Sequence, residues 1–408
     1  MHYLSDVDAG YRYLEDRQRA IYTAFPGVAD PFSRTELNKP AATRNLSDLM
    51  DQLSKQGCDL EGKNCVGDAT LYRLILQRVR CQALPTRFES PIFVELINLY
   101  THDLEVIRQR SYPNAKRARF GSLPTGTIDA QAMLPQGVDD PIVTLNRDLF
   151  FFTGAFSKSI ADAIPIGEEN GMVSIAYSAE AVAQRLKDNA YIVRNFADAM
   201  SRMVSSGTSR GAEEVTLDGD HNRLHARLVT AMDQFIISHE QAHVLLGHVD
   251  ANPVSFSFEG FALAASEGAV PSPTNTAILI QIRTHAQEFE ADAVGYELMV
   301  KAMEEGQSGD PVALMVGAAA PHMVFKIIDA ADTYSREMRG RSFSDGNHPA
   351  AADRVAALDP VYSRLSLPRA PLNGLPDLRH AFDTSLETLL SAADSSIRQS
   401  LGLVSPTR

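Results

Sequence analysis

Two histidines four residues apart, His239 and His243, enclose Glu240 within a segment that is apolar on nearly every side from Leu224 to Leu246. Residues four apart on an α-helix stand on one face, one turn above the other, so both imidazoles can reach a single cation. Glu240 lies about 100° round the helix from His239 and flanks the same position, where a carboxylate can take a proton from water. A helix apolar all round is buried. Burying two imidazoles and a carboxylate without partners costs on the order of several kcal/mol, and a metal ion supplies the partner. The competing reading, two histidines satisfied by core hydrogen bonds, leaves Glu240 without a counter-charge. The helix is predicted over Arg223–Val249, capped by Asn222.

A third ligand must come from elsewhere. A second helix is predicted over Asn275–Gly306, in which Glu288, Ala291, Asp292 and Gly295 share one face by the i, i+3, i+4, i+7 rule. Two are acidic and two are small, and small residues let another helix come close. Glu288 can then be the third ligand, and Asp292 can accept the free ring N–H of a metal-bound histidine. An exposed acidic face is the alternative, and it is the reading preferred for Glu290 and Glu297. His285 ranks second to Glu288 as a ligand. His248 is not placed for the elongated pattern that needs a third histidine at position 249, where Val249 stands. It reads as a surface histidine or one that supports a ligand.

Further on, His348-Pro349 stands at a predicted loop-to-helix entry, with Pro349 suited to the first helical position. His348 can present its imidazole to a cleft, with Arg354 more than one turn inside. A plain surface loop is the other reading. Three protein ligands leave a coordination place open, as in catalytic rather than structural zinc sites. Two imidazoles and a carboxylate suit zinc. The chemistry expected is peptide hydrolysis, with Glu240 as general base and His348 stabilising the oxyanion, Arg354 and Tyr296 in reserve.

The three segments, His-Glu-x-x-His, Glu-x-x-Ala-Asp and His-Pro-x-x-x-x-Arg, together resemble the gluzincin metallopeptidases of the CAAX-processing and heat-shock type. Those enzymes carry transmembrane helices. A closer resemblance, over roughly residues 140 to 360, is to the soluble Lit-type phage-exclusion peptidases. It implies His239, His243 and Glu288 as zinc ligands and Glu240 as catalytic base. It also implies Asp292 behind a ligand and His348, with Arg354, near the substrate. The expected fold is mostly α. It comprises a zincin-like catalytic domain over 140–408, with a small β element on the active-site helix, and a helical N-terminal region over 1–115. The expected function is a zinc-dependent endopeptidase acting on a protein or peptide, regulated by an activating partner or serving phage defence. The alternative is a catalytically silent zincin scaffold that binds a protein.

The rest of the chain narrows the setting. A net charge of −13 argues against general affinity for nucleic acid or an anionic membrane. No signal peptide and no uninterrupted apolar run of membrane length is read. Val312–Ile328, broken by Pro321, His322 and Lys326, reads as a buried helix. Cys58, Cys65 and Cys81 do not describe a disulfide framework and fit a reducing cytoplasm. Helices are predicted over Tyr11–Ala24, Leu46–Leu53, Thr70–Ala83, Pro91–Arg110, Ala179–Val204, Pro311–Met338 and Leu378–Leu401. A domain boundary is placed at Gly121–Asp140, followed by a strand at Pro141–Leu145 whose edge can pair with an extended peptide. Loops are placed at Ser205–Asn222, Asp250–Thr274 and Ser366–Pro376.

Overall fold

The computed structural model describes residues 3–24, 84–89, 91–123, 130–169, 172–175, 178–209, 211–212, 216–249, 254–257, 277–280, 284–306, 311–340, 348–364 and 375–403. The predicted helices at Leu46–Leu53 and Thr70–Ala83, the three cysteines and most of the Asp250–Thr274 and Ser366–Pro376 loops lie outside these residues.

In chain order the helices are α1 (Ala9–Ala24), α2 (Pro91–Ser111), α3 (Arg147–Ala163), α4 (Ala179–Asp188), α5 (Ala190–Ser206), α6 (Gly219–Leu245), α7 (His285–Gly306), α8 (Pro311–Arg339), α9 (Ala351–Arg364) and α10 (Leu375–Ser400). The strands are β1 (Arg119–Leu123), β2 (Ala130–Met133), β3 (Ile142–Asn146), β4 (Ile166–Glu169), β5 (Met172–Ile175), β6 (Val254–Ser257) and β7 (Ala277–Ile280). The chain is therefore mostly helical with a small mixed sheet.

Helix α6 is the axis of the fold. It packs against α2, α3, α7, α8 and β2. Leu224, Leu228, Met232 and Phe235 enter one apolar core with α3, α5, α8 and α10, whereas Ile237 and Val244 enter a second with α2 and the sheet. An apolar surround is what lets one helix serve both cores. Phe235 meets Phe325 of α8 edge-on, with ring centres 5.4 Å apart. Helix α2, from the N-terminal region, shares the second core with Leu298 and Ala302 of α7.

Several local expectations are corrected. The predicted boundary at Gly121–Asp140 contains the end of β1 and all of β2. The sheet order is β1-β3-β2, with β1 parallel and β2 antiparallel to β3. Strand β3 is thus central, with both edges paired, and β2 is the outer strand on that side. The proposed 179–204 helix breaks at Asn189, where φ is −128° and ψ 64°. The Asn189 side-chain amide donates to the Arg185 carbonyl, a local bond that competes with helix continuation. Helix α6 is capped by Asp218 rather than Asn222, its carboxylate accepting from the backbone N–H of Asp220 and His221. Within the predicted 275–306 helix, Ala277–Ile280 form β7, which pairs with β6, and α7 opens at His285. Pro349 stands two residues ahead of α9 instead of in its first turn. Helix α8 is long and apolar enough to cross a membrane, but 72% of its apolar window is buried against other parts of the chain.

One buried acid on α6 carries a pH signature. Asp233 is 3% exposed, and Thr153 Oγ1 donates to its Oδ1 at 2.6 Å. Burial pushes this carboxyl up to about 8, against the opposing pull of the Thr153 and Tyr100 hydroxyls. A folded pKa above the ordinary 3.8 means that the folded state holds a proton the unfolded chain has released. Its stabilising contribution is complete below the ordinary carboxyl range and is lost as pH rises through about 8. Urea midpoints measured from pH 5 to 9 should fall with pH in the wild-type chain and flatten in Asp233→Asn. Equal slopes in the two proteins would refute this.

Candidate metal centre

The site forms where α7 crosses α6. At Gly295 a Cβ would stand 2.7 Å from His239 Cα, 2.8 Å from His239 N and 3.0 Å from the Ser238 carbonyl carbon. The two backbones touch, and only glycine fits. Gly295→Ala is accordingly expected to cost about 1–3 kcal/mol, because rigid backbone cannot rotate out of the way. Urea unfolding of the purified variant measures it, and an unchanged midpoint would contradict the close approach.

One turn from Gly295 on the same face, Asp292 is fully buried, and a turn earlier Glu288 is 1% exposed. His239 Nε2 and His243 Nε2 are 3.1 Å apart. Glu288 Oε2 lies 3.4 Å from the first and Oε1 3.4 Å from the second. Donor atoms held at 2.0–2.1 Å from one tetrahedral zinc ion stand about 3.3–3.4 Å apart; the two imidazole nitrogens, and each nitrogen and the Glu288 oxygen that faces it, are separated by comparable distances. Among the described residues, His239, His243 and Glu288 form the one group of three His, Cys, Asp or Glu side chains that could hold a metal.

Electrostatics bind the cluster together. Burial disfavours a charged His239, yet Asp292 and Glu288 beside it lift the ring to about 9. Burial would raise Glu288, but contacts with His239, His243 and His348 hold it far below the usual carboxylate range.

Around the three donors lie the other predicted residues. His239 Nδ1 is 2.9 Å from Asp292 Oδ1, a close charge contact off the line of an ideal hydrogen bond. Arg354 of α9 grips Asp292 with two bonds, Nε to Oδ2 at 2.8 Å and Nη2 to Oδ1 at 2.6 Å. Its guanidinium lies 4.1 Å above the Phe325 ring. Burial would raise Asp292, but Arg354 and His239 hold its carboxyl low. His348 Nδ1 bonds Glu288 Oε2 at 2.8 Å, and the side chain is 34% exposed, the most open of the group. Glu240 Oε1 stands 3.8 Å from His239 Nε2, while its Oε2 accepts the backbone N–H of Ala132 at 2.7 Å. The general-base candidate is therefore steadied by the outer strand β2.

Two expected donors are differently engaged. The Tyr296 hydroxyl donates to the Ala318 carbonyl of α8 at 2.9 Å, within the helical core. Arg354, partly buried with its side chain 11% exposed, forks onto Asp292 and stands 3.9 Å from Glu288 Oε2. His285 is exposed at the start of α7 and is not in the ligand group.

Of the two readings given for His248, a surface histidine or one that supports a ligand, the structure favours the second, though neither His243 nor Glu290 was foreseen as its neighbour. His243 Nδ1 is 3.0 Å from His248 Nδ1, and His248 Nε2 is 3.2 Å from Glu290 Oε2. His248 is buried, although Glu290, expected on the exposed face, is 64% exposed. The signal was Gly247, which follows the helix end with φ 73°. Gly247 N–H bonds the Val244 carbonyl and His248 N–H the His243 carbonyl, the pairing of a Schellman turn.

No protein-family model matches the chain, and no curated protein or solved structure matches it either. What fold and site define together is a class only: a mostly helical protein with a buried His-His-Glu group able to hold a metal ion.

Proposed function

We propose that this protein is a zinc-dependent peptidase, with His239, His243 and Glu288 holding the ion and Glu240 acting as general base. The observation that carries the reading is the pair of imidazole nitrogens 3.1 Å apart, each 3.4 Å from a different oxygen of the Glu288 carboxylate, with a further carboxylate at the edge, Glu240 Oε1, 3.8 Å from His239 Nε2. A structural site needs no such additional acid, whereas hydrolysis does.

A zinc ion held there supplies a Lewis acid and brings the pKa of a water to about 7. Glu240 takes the proton of the attacking water on Oε1, the oxygen that Ala132 does not hold. It then delivers that proton to the leaving amine nitrogen as the C–N bond breaks. His348 is tied through Nδ1 to Glu288 and offers its other ring nitrogen to the substrate oxyanion. Arg354 and Asp292 keep His239 in place.

The substrate is an extended segment of protein. Glu240 lies against β2, the outer strand of the sheet, and an extended chain added along that edge would pass beside it. The test is digestion of casein and a peptide library with and without a chelator, alongside metal analysis of the purified protein. Cleavage that survives complete metal removal would overturn the proposal.

A further inference from the structure

The two imidazoles of the proposed metal site are supported in different ways. His239 is backed by the buried Asp292 and the Arg354 that grips it. His243, fully buried, is backed by a second imidazole and a surface acid. We infer that His248 and Glu290 form a positioning relay that fixes the tautomer and ring orientation of His243, and so sets metal affinity. This inference rests on the metal-site reading above and extends it to His248, beyond the His-Glu-x-x-His segment, and to Glu290, an unassigned position of the Glu-x-x-Ala-Asp segment.

The bonding directions follow from the geometry. His243 turns Nε2 toward His239 and Glu288, so that nitrogen must offer a lone pair to a cation. The ring proton then sits on Nδ1 and is donated to His248 Nδ1 at 3.0 Å. His248 accepts there and carries its own proton on Nε2, which faces Glu290 Oε2 at 3.2 Å. Each ring nitrogen has one assignment, and the chain of donors ends on a carboxylate. A carboxylate at the far end makes His248 a better acceptor, and His243 a better ligand.

The backbone makes the relay possible. Gly247, at φ 73°, closes α6 in a left-handed turn that folds the chain back over its last helical turn. The His248 N–H bonds the His243 carbonyl at 2.9 Å, so the two residues are joined through backbone and side chain. Glu290 comes from α7, the helix that also supplies Glu288 and Asp292. The relay therefore ties the end of the histidine helix to the carboxylate helix.

The experiment compares zinc affinity, by competition with a chromophoric chelator, for the full-length wild-type chain, His248→Phe, His248→Asn and Glu290→Ala. Cobalt(II) spectra are recorded on the same proteins. His248→Phe is expected to bind zinc about 10–100-fold more weakly, the usual effect of losing a partner behind a ligand. It should also shift the cobalt absorption bands. His248→Asn places an amide oxygen where Nδ1 stands, keeps an acceptor for the His243 Nδ1 proton, and is expected to recover most of the affinity, which a role in packing alone does not explain. Glu290→Ala, at an exposed position, is expected to weaken binding several-fold and decides the matter should His248→Phe fail to fold. Unchanged affinity and cobalt spectrum in Glu290→Ala and in a folded His248→Phe overturn the relay while leaving the metal site standing. A wild-type chain that binds neither zinc nor cobalt overturns the site itself.

Discussion

Glu240→Gln is expected to retain one zinc per chain and the wild-type unfolding profile while losing peptide hydrolysis by about 10²–10⁴-fold, the range for removal of a general base. The substitution is close to isosteric. The amide oxygen of glutamine can still accept the Ala132 N–H that now bonds Glu240 Oε2 at 2.7 Å. Glu240 is also not among the three grouped donors, so metal content should not change. What disappears is the ability to hold and return a proton. Casein digestion and zinc analysis on one preparation separate the effects. Undiminished proteolysis removes Glu240 from the chemistry, whereas lost zinc means that the residue supports the metal group instead.

The second large effect concerns Arg354. Asp292 is fully buried, and its two oxygens are held by the Arg354 fork at 2.6 and 2.8 Å. Arg354→Met keeps much of the packing over Phe325 but leaves that carboxylate facing only His239. Removing one member of a buried ion pair costs about 3–5 kcal/mol, mostly as the penalty of the stranded charge. Arg354→Lys restores charge without the planar fork and should recover only part of the loss. As a contrast, Arg110 pairs with Glu305 on the surface, at 64% and 40% side-chain exposure. Arg110→Met is expected to change stability by less than about 1 kcal/mol. Urea unfolding of the metal-free proteins makes the comparison. Equal, small losses for Arg354→Met and Arg110→Met would show that Asp292 does not depend on Arg354.

The residues of the candidate site were legible where helical periodicity carried them. His239 and His243 had to share a face because 3.6 residues make a turn, and the Glu288-Ala291-Asp292-Gly295 face followed from the same geometry. Gly295 was read as a point of close approach, and its missing side chain is what lets the backbone of α7 meet that of α6. Strand identity was less legible. Residues 121–140, rich in glycine, proline and polar groups, resemble a linker, yet β2 forms there because β3 offers it a partner and an apolar core lies beneath. A four-residue strand has too little pattern of its own to outweigh turn-forming neighbours.

Sequence by itself determined which side chains could meet a cation from each helix, because spacing along one helix is a local property. Tertiary structure decided which helices meet and what stands behind each ligand. It spent Arg354 on Asp292 and Tyr296 on Ala318, set β2 rather than β3 at the sheet's outer edge, and folded His248 back onto His243. Those outcomes depend on contacts between segments distant in the chain, where no local periodicity records the partner and only the packed cores choose among the polar groups within reach.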